Sequence, residues 1–373
     1  MFGNNPKKIK AKKILFMAAV GAHNLWDELI LKWEVEYIKK EYGENIEITV
    51  STYDRTSTLL TDPEIRYVSY FPNDIRHHFF RNIGYFFYNI GLIARSDVLI
   101  IGGGGILFDN EPDLSFGWLL WQWSLRVRIA RMFHTTILFW GIGLELTEIS
   151  SKMKLKKLFV PWDLILVRDP QSKWLLDALE VPSIQVQDIV FLHEPTEQPD
   201  ADVLSTRRVG ISVRGGFLGY KESFIPMIYD RLVELGYTPV FLMFSTAGTD
   251  NQNDALFIQR VMIGKTYNRT QTIEQTLSVY PSLYAVVGMR LHSGILSCVH
   301  EIPHLPISYG PKTDDLITML GIEHLAIGAK DLTLEKFEEN WGLLTQNYTA
   351  EQDNMHTKHL SIRKELLKNL KHI

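Results

Sequence analysis

A single cysteine, Cys298, stands in a chain of 373 residues. No intrachain disulfide and no cluster of metal-binding thiolates can therefore form, which fits a reducing compartment. Basic residues are not in excess: the formal net charge is −4, which removes the electrostatic ground for a nucleic-acid partner. No apolar run reaches the roughly 20 residues that a membrane-spanning helix needs. The G-x-G-x-x-G spacing is missing too, which weakens a nicotinamide-dependent dehydrogenase. His77 and His78 are adjacent and lack the i, i+4 spacing of a helical metal pair, so neither metal nor cofactor is expected. What is present is ordinary globular composition, 46% hydrophobic and 22% charged, over a length that favours two α/β domains.

Lysines at positions 7, 8, 10, 12 and 13 precede the apolar run Ile14 to Ala22, a layout that mimics an export signal. The run is short and leads directly into a helical pattern, so Ile14–Val20 reads as a first buried strand. Strands then alternate with helices. A helix at about Asp27–Tyr42 precedes a strand near Ile46–Tyr53. Val98–Ile101 ends in four glycines, 102–105, and a helix from about Leu114 to Phe133 leads to Thr136–Trp140 and the turn Gly141-Ile142-Gly143. Leu164–Val167 runs into Arg168-Asp169-Pro170 and a helix through Leu179. A polar segment, His193–Asp202, reads as a linker. Beyond it lie a strand at Val209–Val213, a helix at Glu222–Leu235, strands at Pro239–Phe244 and Ala285–Val287, and a helix at Leu291–Val299. This is the βαβ rhythm of parallel sheets covered on both faces, in which ligands sit at the carboxyl ends of strands.

The residues just past those ends carry the chemistry. Glycines 102–105 permit close backbone approach to a ligand, although a plain tight turn accounts for them equally well. Arg214-Gly215-Gly216 follows one strand of the second half. Gly288-Met289-Arg290-Leu291-His292 follows another, directly before a helix. Cations and an imidazole at a helix N-terminus suit an anion that must also receive a proton. Taken singly, a structural ion pair explains either arginine, and a capping or packed role explains His292; their recurrence at strand ends favours a site.

Gly288-Met289-Arg290-Leu291-His292-Ser293, followed by Tyr309-Gly310-Pro311-Lys312, resembles the R-L-H and Y-x-P-K pattern of the polysaccharide pyruvyl transferases. Gly21 to Glu28 is similar to that family's G-x-x-N-x-G-D-E opening and Ser96 to Gly105 to its S-D-x-x-x-x-G-G-G segment. Arg168 to Ser172 is similar to R-D-x-x-S, and Asp188 to Phe191 to D-P-x-F. The likeness covers roughly residues 14 to 325, in order. Trp26 replaces the glycine before Asp-Glu, Leu144 a proline after G-I-G, and Ile189 the proline of D-P-x-F. The first change touches the N-terminal cleft and bears on the choice of acceptor.

The resemblance implies an α/β protein with two Rossmann-like domains facing a central cleft, a glycosyltransferase-B-like arrangement. Expected bounds are 1–195 for an acceptor-side domain, 203–345 for a donor-side domain and 350–373 for a C-terminal amphipathic helix. It implies phosphoenolpyruvate as donor and a saccharide acceptor, free or lipid-linked, in the cytoplasm or at the inner face of the membrane. Motif matching puts Arg214, Arg290 and Lys312 on the donor and makes His292 catalytic. Asn24, Asp27, Gly103 and Gly104 become candidate cleft or acceptor contacts. Rival readings are a nucleotide-sugar glycosyltransferase of the same fold and a non-catalytic saccharide- or nucleotide-binding protein, for which a proton donor at 292 has no use. Two further features stand apart. The helix carrying Trp118, Trp121 and Trp123, then Arg126, Arg128 and Arg131, reads as a buried helix or as a sugar-stacking or membrane-facing surface. The stripe Ile362, Leu366, Leu370 and Ile373 reads as an amphipathic helix packed on the protein, with a membrane anchor as the alternative.

Overall fold

The computed structural model describes residues 11–18, 20–21, 24–43, 45–53, 63–69, 79–109, 115–194, 207–246, 252–371 and 373. His77, His78 and all but the first two residues of the expected linker lie outside them. Chain contacts divide the molecule into an N-terminal unit, Met1–Ile189 with Glu365–Ile373, and a C-terminal unit, Val190–Lys364.

The N-terminal unit is built on a seven-stranded sheet in the order β3-β2-β1-β4-β5-β6-β7, with every neighbouring pair parallel. The strands are β1 (Lys13–Met17), β2 (Glu47–Thr52), β3 (Ile65–Ser69), β4 (Val98–Phe108), β5 (Thr136–Glu145), β6 (Leu164–Val167) and β7 (Ile184–Gln185). Between them run α1 (Leu25–Tyr42), α2 (Phe79–Arg95), α3 (Phe116–Met132), α4 (Ile149–Lys156) and α5 (Pro170–Ala178). Strand order reverses between β1 and β4, the switch point at which sheets of this kind bind ligands. Apolar runs such as Ile14–Met17 and Val98–Ile101 are buried because both sheet faces are covered. Asn24 caps α1 by accepting a hydrogen bond from the Trp26 amide.

One expectation needs correction. The glycines 102–105 do not turn the chain from strand to helix; β4 continues through them to Phe108, and β5 continues beside it to Glu145. Gly102 pairs with Trp140 and Gly105 with Gly143, with a register shift before Leu107. Gly103 and Gly104 adopt φ of 75° and 135°, so the glycines supply a bulge that lets paired strands bend. A Cβ on Gly102 would fall 1.9 Å from the Trp140 carbonyl oxygen.

The C-terminal unit repeats the scheme with six strands in the order β10-β9-β8-β11-β12-β13. These are β8 (Arg208–Ser212), β9 (Thr238–Phe241), β10 (Asn268–Arg269), β11 (Ala285–Gly288), β12 (His304–Ser308) and β13 (Ile327–Gly328), again parallel. Its helices are α6 (Phe224–Glu234), α7 (Asp254–Val261), α8 (Ile273–Val279), α9 (Leu291–Val299), α10 (Pro311–Leu320), α11 (Leu334–Gln346) and the long α12 (Tyr348–Leu370). The last part of α12 belongs to the N-terminal unit. There the Tyr37 hydroxyl donates to the Leu370 carbonyl at 3.2 Å and that of Tyr42 to the Ile373 carbonyl at 2.7 Å. The Asn369 amide donates to the Gln185 carbonyl at 3.2 Å. The stripe Ile362, Leu366, Leu370 and Ile373 is buried, as an amphipathic helix packed on the protein requires.

Candidate active site

Three adjacent strands of the C-terminal unit, β8, β11 and β12, bring their carboxyl ends to one edge. Arg214 lies two residues past β8, Arg290 and His292 follow β11, and Tyr309 and Lys312 follow β12. The Met289 amide donates to the Ser212 carbonyl at 2.8 Å, tying the first two exits together. Arg214 donates from Nη1 to the Tyr309 hydroxyl at 3.1 Å. Its guanidinium lies 4.9 Å from the Phe217 ring centre and 5.7 Å from that of Tyr309. Stacked so, its charge is oriented while its other nitrogens keep their donors for an anion.

Arg290 is the N-cap residue of α9, and His292 stands in that helix's first turn. Lys312 takes the same place in α10, after the N-cap Gly310 and Pro311. Two helix N-termini therefore open beside the cations, a favourable place for a phosphate or carboxylate. Thr313 closes the second turn by accepting from the Tyr309 and Gly310 amides, each at 3.3 Å. His292 and Lys312 are both half-buried.

Arg290 has a partner that the sequence did not reveal. Its Nε donates to Asp254 Oδ1 at 2.9 Å, its Nη2 reaches the same oxygen, and Nη2 also donates to the Gln252 carbonyl at 3.0 Å. Asp254 is 1% exposed, and its Oδ2 accepts from the Phe244 and Ser245 amides at 2.8 and 3.0 Å. Burial pushes this carboxyl up, against the lowering effect of Arg290 and the two amides. The structural ion pair considered from sequence is thus real for Arg290, and it fixes the fork at the edge where the other three residues emerge. Gly288 is what lets the chain reach that edge: a Cβ there would lie 2.3 Å from Ser293 Oγ and 2.4 Å from His304 Cε1.

The N-terminal unit has its own polar cluster, at the β1–β4 switch point. Asn24 donates from Nδ2 to Asp27 Oδ2 at 2.9 Å. Gly104 makes room for the other oxygen, since a Cβ on it would come within 2.9 Å of Asp27 Oδ1. The Gly103 Cβ position faces Ile30 and Glu34 of the same helix. Burial raises Asp27 to about 7, opposed by the charge of Arg168 and the Asn24 hydrogen bond, and assisted by Glu28 and Asp188. Glu34 is raised well above the carboxylate range by burial and then by Asp188. Neither of its oxygens has a hydrogen-bond partner among the described residues. Arg168 passes close to Gly143, where a Cβ would meet its Nε at 3.1 Å. Asp169 caps α5, accepting from the Ser172 amide at 2.7 Å and hydroxyl at 2.9 Å.

Trp26 is 1% exposed and donates from Nε1 to Asp188 Oδ2 at 3.0 Å, so its side chain fills the core of the unit. Nothing in the sequence points to Glu34, or to Asp254, whose partner Arg290 lies 36 positions along the chain. Among the described residues, no group of three or more His, Cys, Asp or Glu side chains is arranged to hold a metal ion. No described helix is long and apolar enough to cross a membrane.

Solved structures share this architecture. Anabaena Alr3699/HepE, determined in complex with UDP-glucose, superposes with a TM-score of 0.60 at 13% identity, over 97% of this chain and 100% of that one. A putative UDP-N-acetylglucosamine 2-epimerase from Listeria monocytogenes gives 0.56 at 12% identity, over 92% and 90%. An alpha-glucosyltransferase in complex with UDP-glucose and DNA gives 0.53 at 10%, over 96% and 95%. At such identities the likeness speaks for the fold alone. No functionally curated protein matches the chain. The polysaccharide pyruvyl transferase family model matches residues 27–311, a stretch that contains Asp27, the glycine bulge, Arg214, Arg290 and His292 and ends at Pro311, beside Lys312; the chain is a transferase belonging to that family.

Proposed function

We propose that the enzyme moves the enolpyruvyl group of phosphoenolpyruvate onto two hydroxyls of a saccharide, a cell-envelope or exopolysaccharide precursor, to form a cyclic pyruvate ketal. The observation that carries this reading is the convergence of Arg214, Arg290, His292 and Lys312 on one sheet edge beside the first turns of α9 and α10. Phosphoenolpyruvate presents a phosphate and a carboxylate, and forked guanidiniums suit both.

The chemistry assigns the roles. His292 gives a proton to the methylene carbon, and the adjacent carbon, now electron-poor, accepts the first acceptor hydroxyl. The bond from that carbon to the phosphate oxygen then breaks, and the second hydroxyl closes the ketal. Both ketal oxygens come from the saccharide; of the two hydroxyl protons, one replaces the proton lost by His292 and the other leaves with phosphate. Arg214, Arg290 and Lys312 hold the charge that accumulates on the departing phosphate. Asn24, Asp27 and the backbone of Gly103 and Gly104 receive the saccharide. The work is placed in the cytoplasm, where phosphoenolpyruvate is made.

A second reading has one observation behind it: proteins of the same fold have been determined with UDP-glucose bound. A nucleotide-sugar donor would use the same cations. Two measurements separate the readings. The donor that raises the melting temperature identifies the occupant of the C-terminal unit. Mass spectrometry of an acceptor glycan identifies the group transferred, because a ketal adds pyruvic acid less one water and a glycosyl transfer adds a whole sugar residue less one water. A glycan that gains a hexose, with no response to phosphoenolpyruvate, overturns the proposal.

A further inference from the structure

Helices α2 and α3 pack side by side on the sheet face away from α1, as right-handed crossovers dictate. Their inner residues, among them Phe86, Ile90, Leu119 and Leu120, join the core. Their outer residues are not polar. Ile83, Phe87 and Tyr88 of α2 and Trp118 and Trp121 of α3 are each at least 40% exposed. The two indoles stack on one another, centroids 4.9 Å apart. Isolated apolar side chains on a surface are ordinary, but five large ones on two adjoining helices are not.

Charge follows the same division. Each helix has 17 residues, and neither contains an aspartate or a glutamate in a chain where acidic residues outnumber basic ones, 43 to 39. Every charged residue on them is arginine: 81 and 95 on α2, and 126, 128 and 131 on α3. The helix dipole accounts for arginines in the last turns, Arg95 and Arg131. It does not account for first turns that lack the carboxylates it favours. Neighbouring α4 repeats the arrangement, with no acid in its first turn, exposed Ile149 and Met153, and Lys154 and Lys156 in its last turn. All three helices run antiparallel to the strands they join, so Ile83, Trp118, Trp121 and Ile149 lie toward the carboxyl edge of the sheet and Arg95, Arg128, Lys154 and Lys156 behind them, with exposed Met132 and Phe133 at the far end of α3.

We infer that this face docks on an anionic phospholipid bilayer. Aromatic side chains settle at the level of the head groups, an apolar stripe enters the acyl boundary, and the exposed Arg95 and Arg128 meet lipid phosphates; Arg126 is buried and Arg131 is held by Asp163. A sugar site would need several amides or carboxylates among the rings; these helices carry no carboxylate, Asn82 and Asn89 are buried, and only the half-buried Gln122 offers an amide. The inference does not depend on the donor, and its test involves no transfer chemistry.

The intact protein is sedimented with vesicles of phosphatidylcholine alone and of phosphatidylcholine containing a minority of phosphatidylglycerol. Binding is expected only with the anionic lipid and should weaken as salt is raised. Trp118→Ser with Trp121→Ser should reduce it roughly tenfold or more, and Arg128→Glu by about fivefold or more. Ile263→Ser, which alters an exposed apolar residue of the other unit (84% exposed), should leave it unchanged. Because all these side chains lie on the surface, melting temperatures should hold, which separates loss of binding from loss of fold. Absence of binding to the anionic vesicles overturns the inference, as does binding that ignores the tryptophan and arginine changes. It is also overturned if the tryptophan variant turns a dimer into a monomer, because the face then belongs to a second copy of the chain.

Discussion

Removing the guanidinium of Arg290 leaves Asp254 buried and without its partner, and breaking one side of a buried pair typically costs about 3–5 kcal/mol. Arg290→Ala should therefore lower both stability and donor affinity. Adding Asp254→Asn should restore most of the stability while binding stays weak; calorimetry on the double variant reads the donor contact by itself, and parental affinity there removes Arg290 from the donor. Arg214 permits a simpler test, since its contacts are a hydroxyl and two ring faces. Arg214→Ala should weaken phosphoenolpyruvate by about 2–4 kcal/mol, and Arg214→Lys should recover only part, because a point charge does not reproduce the fork. For His292 the expected loss lies in rate. His292→Ala should bind the donor nearly as the parent does and lose ~100- to 10,000-fold in turnover, with His292→Gln almost as slow because an amide cannot deliver the proton. Single-turnover kinetics at saturating donor decide it: a glutamine variant with most of its rate makes the histidine a positioning residue.

At the scale of elements, glycines set the geometry in both units. Gly288→Ala would drive its methyl into Ser293 and His304, so the first turn of α9 must shift; loss of donor response in a protein that still folds is the expected result. Gly104→Ala should act on Asp27 in the same way. The alternation of strand and helix was legible because buried parallel strands are apolar throughout, and Leu164–Val167 and Leu291–Val299 appear with those bounds. The glycine run was misread because glycine marks bulges and turns alike; only the pairing of β4 with β5 distinguishes them. Helix α2 gave no clear signal, since its aromatics and two glycines fit a strand as well as a helix. Site residues at strand ends could be found by position. Their partners, Asp254 for Arg290 and Asp188 for Trp26, come together only through the fold.

Taken as a whole, the molecule holds ionisable groups that oppose one another across the pH scale. Burial lowers His300 and His304 to about 3 and also lowers His359, so these rings stay neutral when folded. The unfolded chain takes up protons on them below about pH 6.5, so stability should fall as pH drops from there toward 3, by about 2 kcal/mol each for His300 and His304 at about pH 5. Asp27 and Glu34 act in the other direction. Their raised values mean that the folded state keeps protons that the unfolded state releases, so stability should also fall as pH rises, from about 4 through 7 on account of Asp27 and further on account of Glu34. Denaturant titrations should show the two trends opposing one another between about pH 4 and 6.5, with stability falling on either side. Asp27→Asn should raise stability at about pH 8, by up to about 4 kcal/mol, while slowing transfer; a variant that gains nothing there would show that the aspartate ionises in the fold without penalty.

The shared helix α12 has a consequence for the order in which the protein can be made. The N-terminal unit supplies Tyr37, Tyr42 and Gln185 early in the chain, but the groups they bond to, at Leu370, Ile373 and Asn369, belong to its closing segment. Domains emerging from the ribosome generally fold in sequence, the first ahead of the second. Here the C-terminal unit, Val190–Lys364, is translated in full before the N-terminal unit has its last piece. The unit that starts first must finish last, holding an open seam through the whole synthesis of its neighbour.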